Sequence, residues 1–295
     1  MIVNLYRKLL PLFFRTKVYN FVLGDILFFK RNFDIILKSK FIAYFFWILP
    51  KTEENKAYRF MGKYGLTSYP YPYMLEHKNK TVSVEHDLNL NLPFIIHNNK
   101  KLYFKATSSD EEIVILYKAL TTEQDERAAH RYVRSYEELK GRTLLDVGSA
   151  EGIFSLHTIE FVNHIYLFEY DPEWVKPLMA TFVPWKDKVT LIPKYIDEKT
   201  DDISITLDDF LRDKQKENLF IKMDIEGAER RALNGAKETL KNVKNLRMSV
   251  TTYHQKNDPE FISEFVSKYG LNYEFSDGLM YWRKKLSKGI IRIYN

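Results

Sequence analysis

Thr143-Leu-Leu-Asp-Val-Gly-Ser-Ala-Glu-Gly-Ile-Phe-Ser155 is the stretch that decides the fold. A short apolar strand runs into Asp146, a turn carrying Gly148 and Gly152 follows, and a helix begins. Glycine lets a backbone turn sharply and approach a ligand closely, and the first N–H groups of a helix are free to bind that ligand. Strand, glycine turn and helix in this order form the nucleotide cradle of doubly wound α/β folds. The spacing is Asp-x-Gly-x-x-x-Gly with an acid inside the turn, unlike the Gly-x-Gly-x-x-Gly of dinucleotide enzymes. It suits a ligand with no pyrophosphate and with a positive centre, which points to S-adenosylmethionine. Asp146, Gly148, Ser149, Ala150, Glu151 and Gly152 are therefore the expected cofactor loop.

A second apolar run, Ile165-Tyr-Leu-Phe-Glu169, also ends in an acid. Glu169 lies 21 residues after Gly148, close to the roughly 20-residue offset of a carboxylate that accepts hydrogen bonds from ribose hydroxyls. Tyr170 follows and is placed to pack on the nucleoside. Downstream, Leu219-Phe-Ile-Lys-Met-Asp-Ile-Glu-Gly-Ala-Glu229 repeats the design: an apolar strand to Asp224, then Gly227 at a helix start. Ligands in open α/β sheets bind beyond the carboxyl ends of the strands, so Asp146, Glu169 and Asp224 should converge on one crevice. Glu226 and Glu229, three apart, share a helix face. They face the acceptor in one reading and merely complement the helix dipole in the other.

The remaining pattern fixes the class. Strands are expected at 143–147, 165–169, 189–193, 218–223 and 246–252, alternating with helices, which implies a parallel sheet with crossover helices. Residues 272–294 read as two or three strands around a turn at Asp277-Gly278, an antiparallel hairpin closing the sheet. Upstream, residues 1–75 read as helical up to the Tyr69-Pro-Tyr-Pro-Tyr73 breaker, 82–107 as short β pieces around Asn98-Asn99, and 110–140 as helical. The expected organisation is an extension over 1–107 and a catalytic domain over 108–295.

Composition sets further bounds. The chain has 295 residues, 45% apolar and 28% charged, and no cysteine. The absence of cysteine rules out a disulfide framework, thiolate zinc sites and a cysteine nucleophile, and fits a reducing compartment. Residues 1–50 hold eight Lys/Arg and two acids, so they carry the whole formal charge of +6, and the rest is balanced. The longest apolar run there, Phe41–Pro50, has ten residues, too few to span a bilayer. This basic, aromatic segment reads either as peripheral contact with an anionic membrane or as helices packed on the catalytic domain with their cations solvated.

The motif Lys222-Met-Asp224-Ile-Glu226-Gly-Ala-Glu229, with Thr206-Leu-Asp208-Asp209-Phe and Asp146-Val-Gly148-Ser-Ala-Glu-Gly152, resembles the FkbM-type S-adenosylmethionine-dependent methyltransferases. The resemblance covers about residues 120–295. Glu123-Gln124, His130-Arg131-Tyr132, Tyr253-His254 and Asp258 also resemble a subgroup of that family. The segment between Asp197 and Thr206 is shorter than the pattern and trims a loop near the adenine. The resemblance implies a Rossmann-like class I methyltransferase fold. It also implies O-methylation of a hydroxyl on a sugar or secondary metabolite, with many members in surface-polysaccharide pathways. Asp197 joins the expected cofactor set.

The chemistry asks for a general base, because a protonated hydroxyl is a poor nucleophile. His254 is the natural candidate, and Asp224 orients it, binds acceptor or acts as base itself. His130 and the two glutamates, Glu226 and Glu229, are the expected acceptor side. Asp224, Glu226, Glu229 and Asp258 are oxygen ligands of the kind magnesium takes, but nothing in the spacing demands a metal. The expected location is cytoplasmic or at the inner membrane face, the expected partner a glycan or small-molecule hydroxyl rather than nucleic acid. The competing readings are an NAD-dependent nucleotide-sugar-modifying enzyme, a nucleic-acid methyltransferase, and a catalytically dead nucleotide-binding module. The first lacks its Gly-x-Gly-x-x-Gly. The second lacks a basic face in the catalytic part.

Overall fold

A computed structural model describes residues 27–214 and 216–295. The first part of the basic N-terminal stretch, residues 1–26, lies outside the described residues. Helix α1 (Leu27–Phe45) packs on α2 (Glu53–Tyr64), which Thr52 caps by accepting from the Asn55 amide. The Tyr-Pro run separates α2 from α3 (Tyr73–Lys78), as its fixed proline φ angles require. A small antiparallel sheet of β1 (Glu85–Asp87), β2 (Leu92–His97) and β3 (Lys100–Tyr103) follows. Its β2–β3 turn is Asn98-Asn99, both with positive φ, as a two-residue hairpin prefers.

Helix α4 (Asp110–Glu123) starts at a Ser109–Glu112 capping box and stops well short of the helical stretch expected to 140. Beyond it Ala128, Ala129, His130, Tyr132 and Val133 are all buried. Burial at nearly consecutive positions does not fit a one-sided helix, and the segment instead threads between the cleft and the sheet.

The catalytic part then alternates: β4 (Thr143–Val147), α5 (Ile153–Thr158), β5 (His164–Phe168), α6 (Pro172–Phe182), β6 (Val189–Ile192), β7 (Tyr195–Ile196), β8 (Ser204–Ile205), α7 (Leu207–Phe210), β9 (Leu219–Met223), α8 (Glu229–Asn234), α9 (Lys237–Asn242), β10 (Arg247–Thr251) and α10 (Asp258–Ser267). It ends with β11 (Asn272–Phe275), β12 (Met280–Trp282), β13 (Lys285–Ser287) and β14 (Ile290–Tyr294). The five expected central strands are all present, within one residue at each end.

The main sheet has seven strands in the order β11-β14-β10-β9-β4-β5-β6. The run from β10 to β6 is parallel, and β14 enters antiparallel between β10 and β11. The chain therefore reverses direction of winding on either side of β4, and the crevice at that switch point is where an open α/β sheet binds its ligand. The fold is the Rossmann-like class I methyltransferase architecture, with a C-terminal hairpin that carries an inserted two-stranded ribbon, β12–β13.

Side chains alternate across the sheet with the period of two that strands impose. Leu145, Val147, Ile221 and Met223 join the core under α7–α10, while Leu144, Ile165, Leu167 and Phe220 join the core on the other face. Ile95, Leu102 and Phe104 from the small N-terminal sheet belong to that second core. The β part of the extension is thus packed into the catalytic unit, whereas Ile35, Ile42, Tyr58 and Met61 of α1 and α2 form their own cluster with Tyr281 and Leu286 of the ribbon. No helix among the described residues is long and apolar enough to cross a membrane.

Candidate active site

The cleft at the switch point has a volume of about 910 Å³, at the upper end of the range for small-molecule sites. Two ends can be distinguished by what lines them.

The first end is built by the glycine loop. Gly148 has φ +78° and Gly152 φ +79°. A Cβ on Gly148 would stand 2.1 Å from the Asp224 carbonyl oxygen, so the β4 and β9 loops touch only because that side chain is absent. Between the two glycines the Ala150 amide donates to Glu169 Oε2 at 2.9 Å, and Glu169 Oε1 accepts from the Asp171 amide at 2.8 Å. Tyr170 stacks on Tyr195, with centroids 4.2 Å apart, and Asp197 approaches Arg231 at 3.2 Å. Gly148, Ala150, Glu169, Tyr170, Tyr195, Asp197 and Arg231 line the cleft, as do Ser149 and Glu151, whereas Gly152 and Asp171 do not. Glu151 is buried beside the loop, and burial pushes its carboxyl up to about 8.

Beneath this loop sits an ion pair. Asp146 is fully buried, accepts from Ser155 Oγ at 2.6 Å and lies 3.0 Å from Lys222 Nζ. Lys222 also donates to the Gly148 carbonyl. Burial works against the Lys222 charge, but Asp146 and then Asp224 outweigh it and hold the ammonium above its ordinary range. The lysine was part of the quoted motif without a role. Its signal was a charge in the middle of an otherwise apolar strand, which requires a buried partner.

The second end gathers Asp224, Glu226, Tyr253, Met280 and Trp282 with Ser68, Tyr69 and Glu123 from the preceding segments. Asp224 Oδ2 accepts from Tyr132 Oη at 2.8 Å and lies 3.5 Å from His130 Nε2. Burial raises the Asp224 pKa, but His130 and Lys222 override it and hold the carboxylate well below its usual range. His130 is buried one layer behind the wall, with Nε2 2.9 Å from Tyr253 Oη. It therefore acts on the cleft through Asp224 and Tyr253 rather than by reaching into it. Glu123, desolvated and hydrogen-bonded by Tyr69 Oη at 3.1 Å, is pushed toward its neutral form.

His254, between the cleft-lining residues Tyr253 and Gln255, and Glu229 lie behind the wall of this end, and neither lines the cleft itself. Glu229 Oε1 lies 2.8 Å from His254 Nδ1 and also accepts from Thr251 Oγ1 at 2.9 Å and the Ile225 amide at 3.1 Å. Glu229 is buried behind the imidazole and does not line the cleft. His254 Nε2 has no hydrogen-bond partner and lies 3.8 Å from Asp224 Oδ1 and 3.7 Å from Glu226 Oε2. That nitrogen is itself occluded, so an acceptor reaches it only by displacing a neighbour. Glu226, with a side chain 82% exposed, is the neighbour free to move. The imidazole is desolvated, but Glu229, Asp224 and Glu226 together raise its pKa above 6.5.

Asp224, Glu229 and His254 bring one ligand atom each within 4.8 Å of one another. Their donors fit magnesium poorly. Glu229 Oε1 already holds the imidazole, and a nitrogen stands where magnesium takes oxygen. Asp258 is drawn off by Arg230 Nε at 2.8 Å and the Gln255 amide at 2.6 Å. The second quoted motif is likewise internal: Thr206 caps α7, and Asp208 Oδ1 and Oδ2 accept from the amides that open α9. Of the aromatic residues Tyr69, Tyr71, Tyr73, Phe94 and Tyr103, only Tyr69 lines the cleft. Tyr71 accepts from the Leu279 amide and stacks on buried Tyr73, while Phe94 packs on Tyr103.

Residues 146–274 match the methyltransferase FkbM domain. An FkbM methyltransferase domain is thus found at residues 146–274. The matched span opens on Asp146 and takes in every loop at the carboxyl ends of β4, β5, β9 and β10. No curated protein matches the chain. Among solved structures it is similar to the Methanococcus jannaschii fibrillarin pre-rRNA processing protein (8% identity, 73% of this chain and 97% of that one, TM-score 0.42). It is also similar to a precorrin-6y C5,15-methyltransferase from Geobacter metallireducens (12%, 56% and 87%, TM-score 0.38). A third is a Streptococcus mutans protein described as a methyltransferase, in complex with S-adenosylhomocysteine (11%, 55% and 95%, TM-score 0.38).

Proposed function

We propose that this methyltransferase uses S-adenosylmethionine to methylate a hydroxyl oxygen of a sugar, in surface-polysaccharide or related glycan synthesis on the cytoplasmic side of the membrane, with peripheral membrane contact through residues 1–50. The observation that carries the reading is the buried Glu229–His254 pair, whose unpartnered Nε2 lies just behind the cleft wall, 3.8 Å from the cleft-lining Asp224.

Gly148–Gly152, Glu169, Tyr170, Tyr195 and Asp197 would hold the nucleoside, with Glu169 facing the ribose and the stacked tyrosines the base. The cofactor supplies an electrophilic methyl group on a sulfonium. Asp224 accepts the acceptor hydroxyl and fixes its direction. Its own low basicity suits it to binding rather than to keeping a proton. His254 Nε2 takes the proton as the oxygen–carbon bond forms and the carbon–sulfur bond breaks, and Glu229 stabilises the resulting imidazolium. Such a base contributes roughly 10²–10⁴ in rate, and alignment of the two reactants several kcal/mol more. Glu226 swings outward to admit the hydroxyl. Tyr69, Tyr253 and Trp282 offer aromatic faces to a sugar ring, and no step uses a metal.

The test is calorimetric titration with S-adenosylmethionine and with NAD, followed by labelled methyl transfer to a glycan panel. Micromolar binding of the first alone, with label in an alkali-stable ether, supports the reading. Binding of NAD instead would make the protein a nucleotide-sugar-modifying enzyme. Binding of neither would leave a dead nucleotide module.

A further inference from the structure

Helix α1 is apolar on two opposite sides. Ile35, Ser39 and Ile42 face inward and are buried against α2 and the β12–β13 ribbon. Phe29, Phe33, Leu37, Phe41 and Tyr44 recur every three or four residues on the far side, and each is at least half exposed. Trp47 just beyond is 78% exposed. A surface helix ordinarily puts polar residues there, and a contiguous exposed apolar face marks a contact.

Cations lie among and beside these residues. Lys30, Arg31 and Lys40 are exposed, and Asp34 is the only acid among residues 27–50. Asp34 pairs with Lys284 Nζ at 2.9 Å, which brings the turn of the β12–β13 ribbon alongside the helix. That turn is Arg283-Lys284, with φ +43° and +69°, followed by exposed Lys285. Two positive φ angles in a two-residue hairpin favour Asn-Gly. Here the strained positions hold two long cations.

We propose that the outer face of α1 and the Arg283–Lys285 turn dock together on an anionic phospholipid surface, the helix lying in the plane of the interface. Aromatic rings beside lysines and arginines are what such an interface takes up. Charge argues against the alternatives. A second copy of the same face would bring like charges together, and residues 1–26 carry four cations and one acid, the same sign again.

The docking surface shares a strand with the cleft. On β12, Tyr281 packs on the α1–α2 cluster, while Met280 and Trp282 line the acceptor end. A membrane-borne hydroxyl compound, such as a glycolipid head group, would then meet the cleft across that strand. The docking deepens the membrane contact proposed above for residues 1–50, and this last step rests in addition on the methyl-transfer reading.

The experiment is cosedimentation of the full chain with vesicles of phosphatidylcholine alone and with about 30% phosphatidylglycerol added. Expected is binding to the anionic vesicles only, weakened by salt. Phe33→Glu with Phe41→Glu, and separately Arg283→Glu with Lys285→Glu, should each lower partitioning at least tenfold. Calorimetry with S-adenosylmethionine on the same variants keeps the two ideas apart. Lost cofactor binding in the unaltered chain defeats the reading of the cleft, and unaltered vesicle binding in both variants overturns the docking. Equal binding to neutral vesicles also overturns it. So does a light-scattering mass of a dimer that Phe33→Glu dissociates in the absence of any vesicle binding.

Discussion

Glu229 Oε1 and His254 Nδ1 lie 2.8 Å apart, and both side chains are almost wholly buried. The carboxylate fixes the tautomer of the ring and leaves Nε2 as its reactive nitrogen. His254→Ala should therefore lower turnover by about 10²–10⁴ while leaving the affinity for S-adenosylmethionine within a factor of about two. Turnover and calorimetry on the same preparation check this, and undiminished turnover removes His254 from the chemistry.

The pH profile follows from the same pair. His254 must be neutral to accept a proton, and its folded pKa lies above 6.5. Activity should therefore rise with pH through an apparent pKa higher than that of free histidine. Glu229→Gln removes the largest of the charges that raise it, so burial weighs more heavily against what Asp224 and Glu226 still supply. The acid limb of kcat/KM should move to lower pH in the variant, together with a loss of rate. A limb that stays in place assigns it to another group. The stability due to the charged imidazole is present below about pH 6.5 and disappears as pH rises through the folded pKa.

Glu169 holds both the Ala150 and the Asp171 amides. Removing a carboxylate that orients the loop and, in the proposed reading, faces the ribose costs about 1.5–3 kcal/mol per lost charged hydrogen bond. Glu169→Ala should weaken cofactor binding by one to two orders of magnitude with an unchanged far-ultraviolet spectrum. Calorimetric titration measures the first and circular dichroism the second.

Gly148→Ala tests the contact between the two loops. A methyl group cannot occupy a position 2.1 Å from the Asp224 carbonyl, and it cannot relax away, because the neighbour is backbone. The variant should lose cofactor binding and melt several degrees lower, whereas Gly141→Ala, whose added carbon meets nothing, should bind normally despite its own positive φ.

Lys222→Met should destabilise the fold by about 3–5 kcal/mol, since it leaves the Asp146 charge buried without its partner. Lys222→Met with Asp146→Asn should recover much of that loss. Denaturant titration of the two variants gives the comparison, and equal losses would show that the pair does not couple.

Much of this was legible in the chain itself, and for identifiable reasons. The central strands are short apolar runs that end in Asp146, Glu169 and Asp224, so their period and their terminal acids mark both the element and the crevice. The helix expected to 140 failed because Ala128, Ala129, His130, Tyr132 and Val133 are buried by a wall they help to build, a tertiary demand that no local period expresses. Tyr195 and Trp282 escaped notice because they come from β7 and an inserted ribbon, where nothing in the neighbouring residues announces a cleft. Asp258 read as a metal ligand because its partner, Arg230, lies 28 residues away and meets it only in the fold. His130 read as an acceptor contact because sequence shows proximity to the site but not depth within its wall.

Asp146 and Lys222 face one another directly across the β4–β9 pairing. A slip of one residue in either strand would turn that strand's charge toward the opposite core and separate the two, leaving two lone charges among leucines and isoleucines. Mispaired arrangements of the two central strands are thus penalised far beyond the loss of a few hydrogen bonds. The pair that lies under the cofactor loop also acts as a key for assembly, admitting one alignment of the sheet during folding and rejecting its near neighbours.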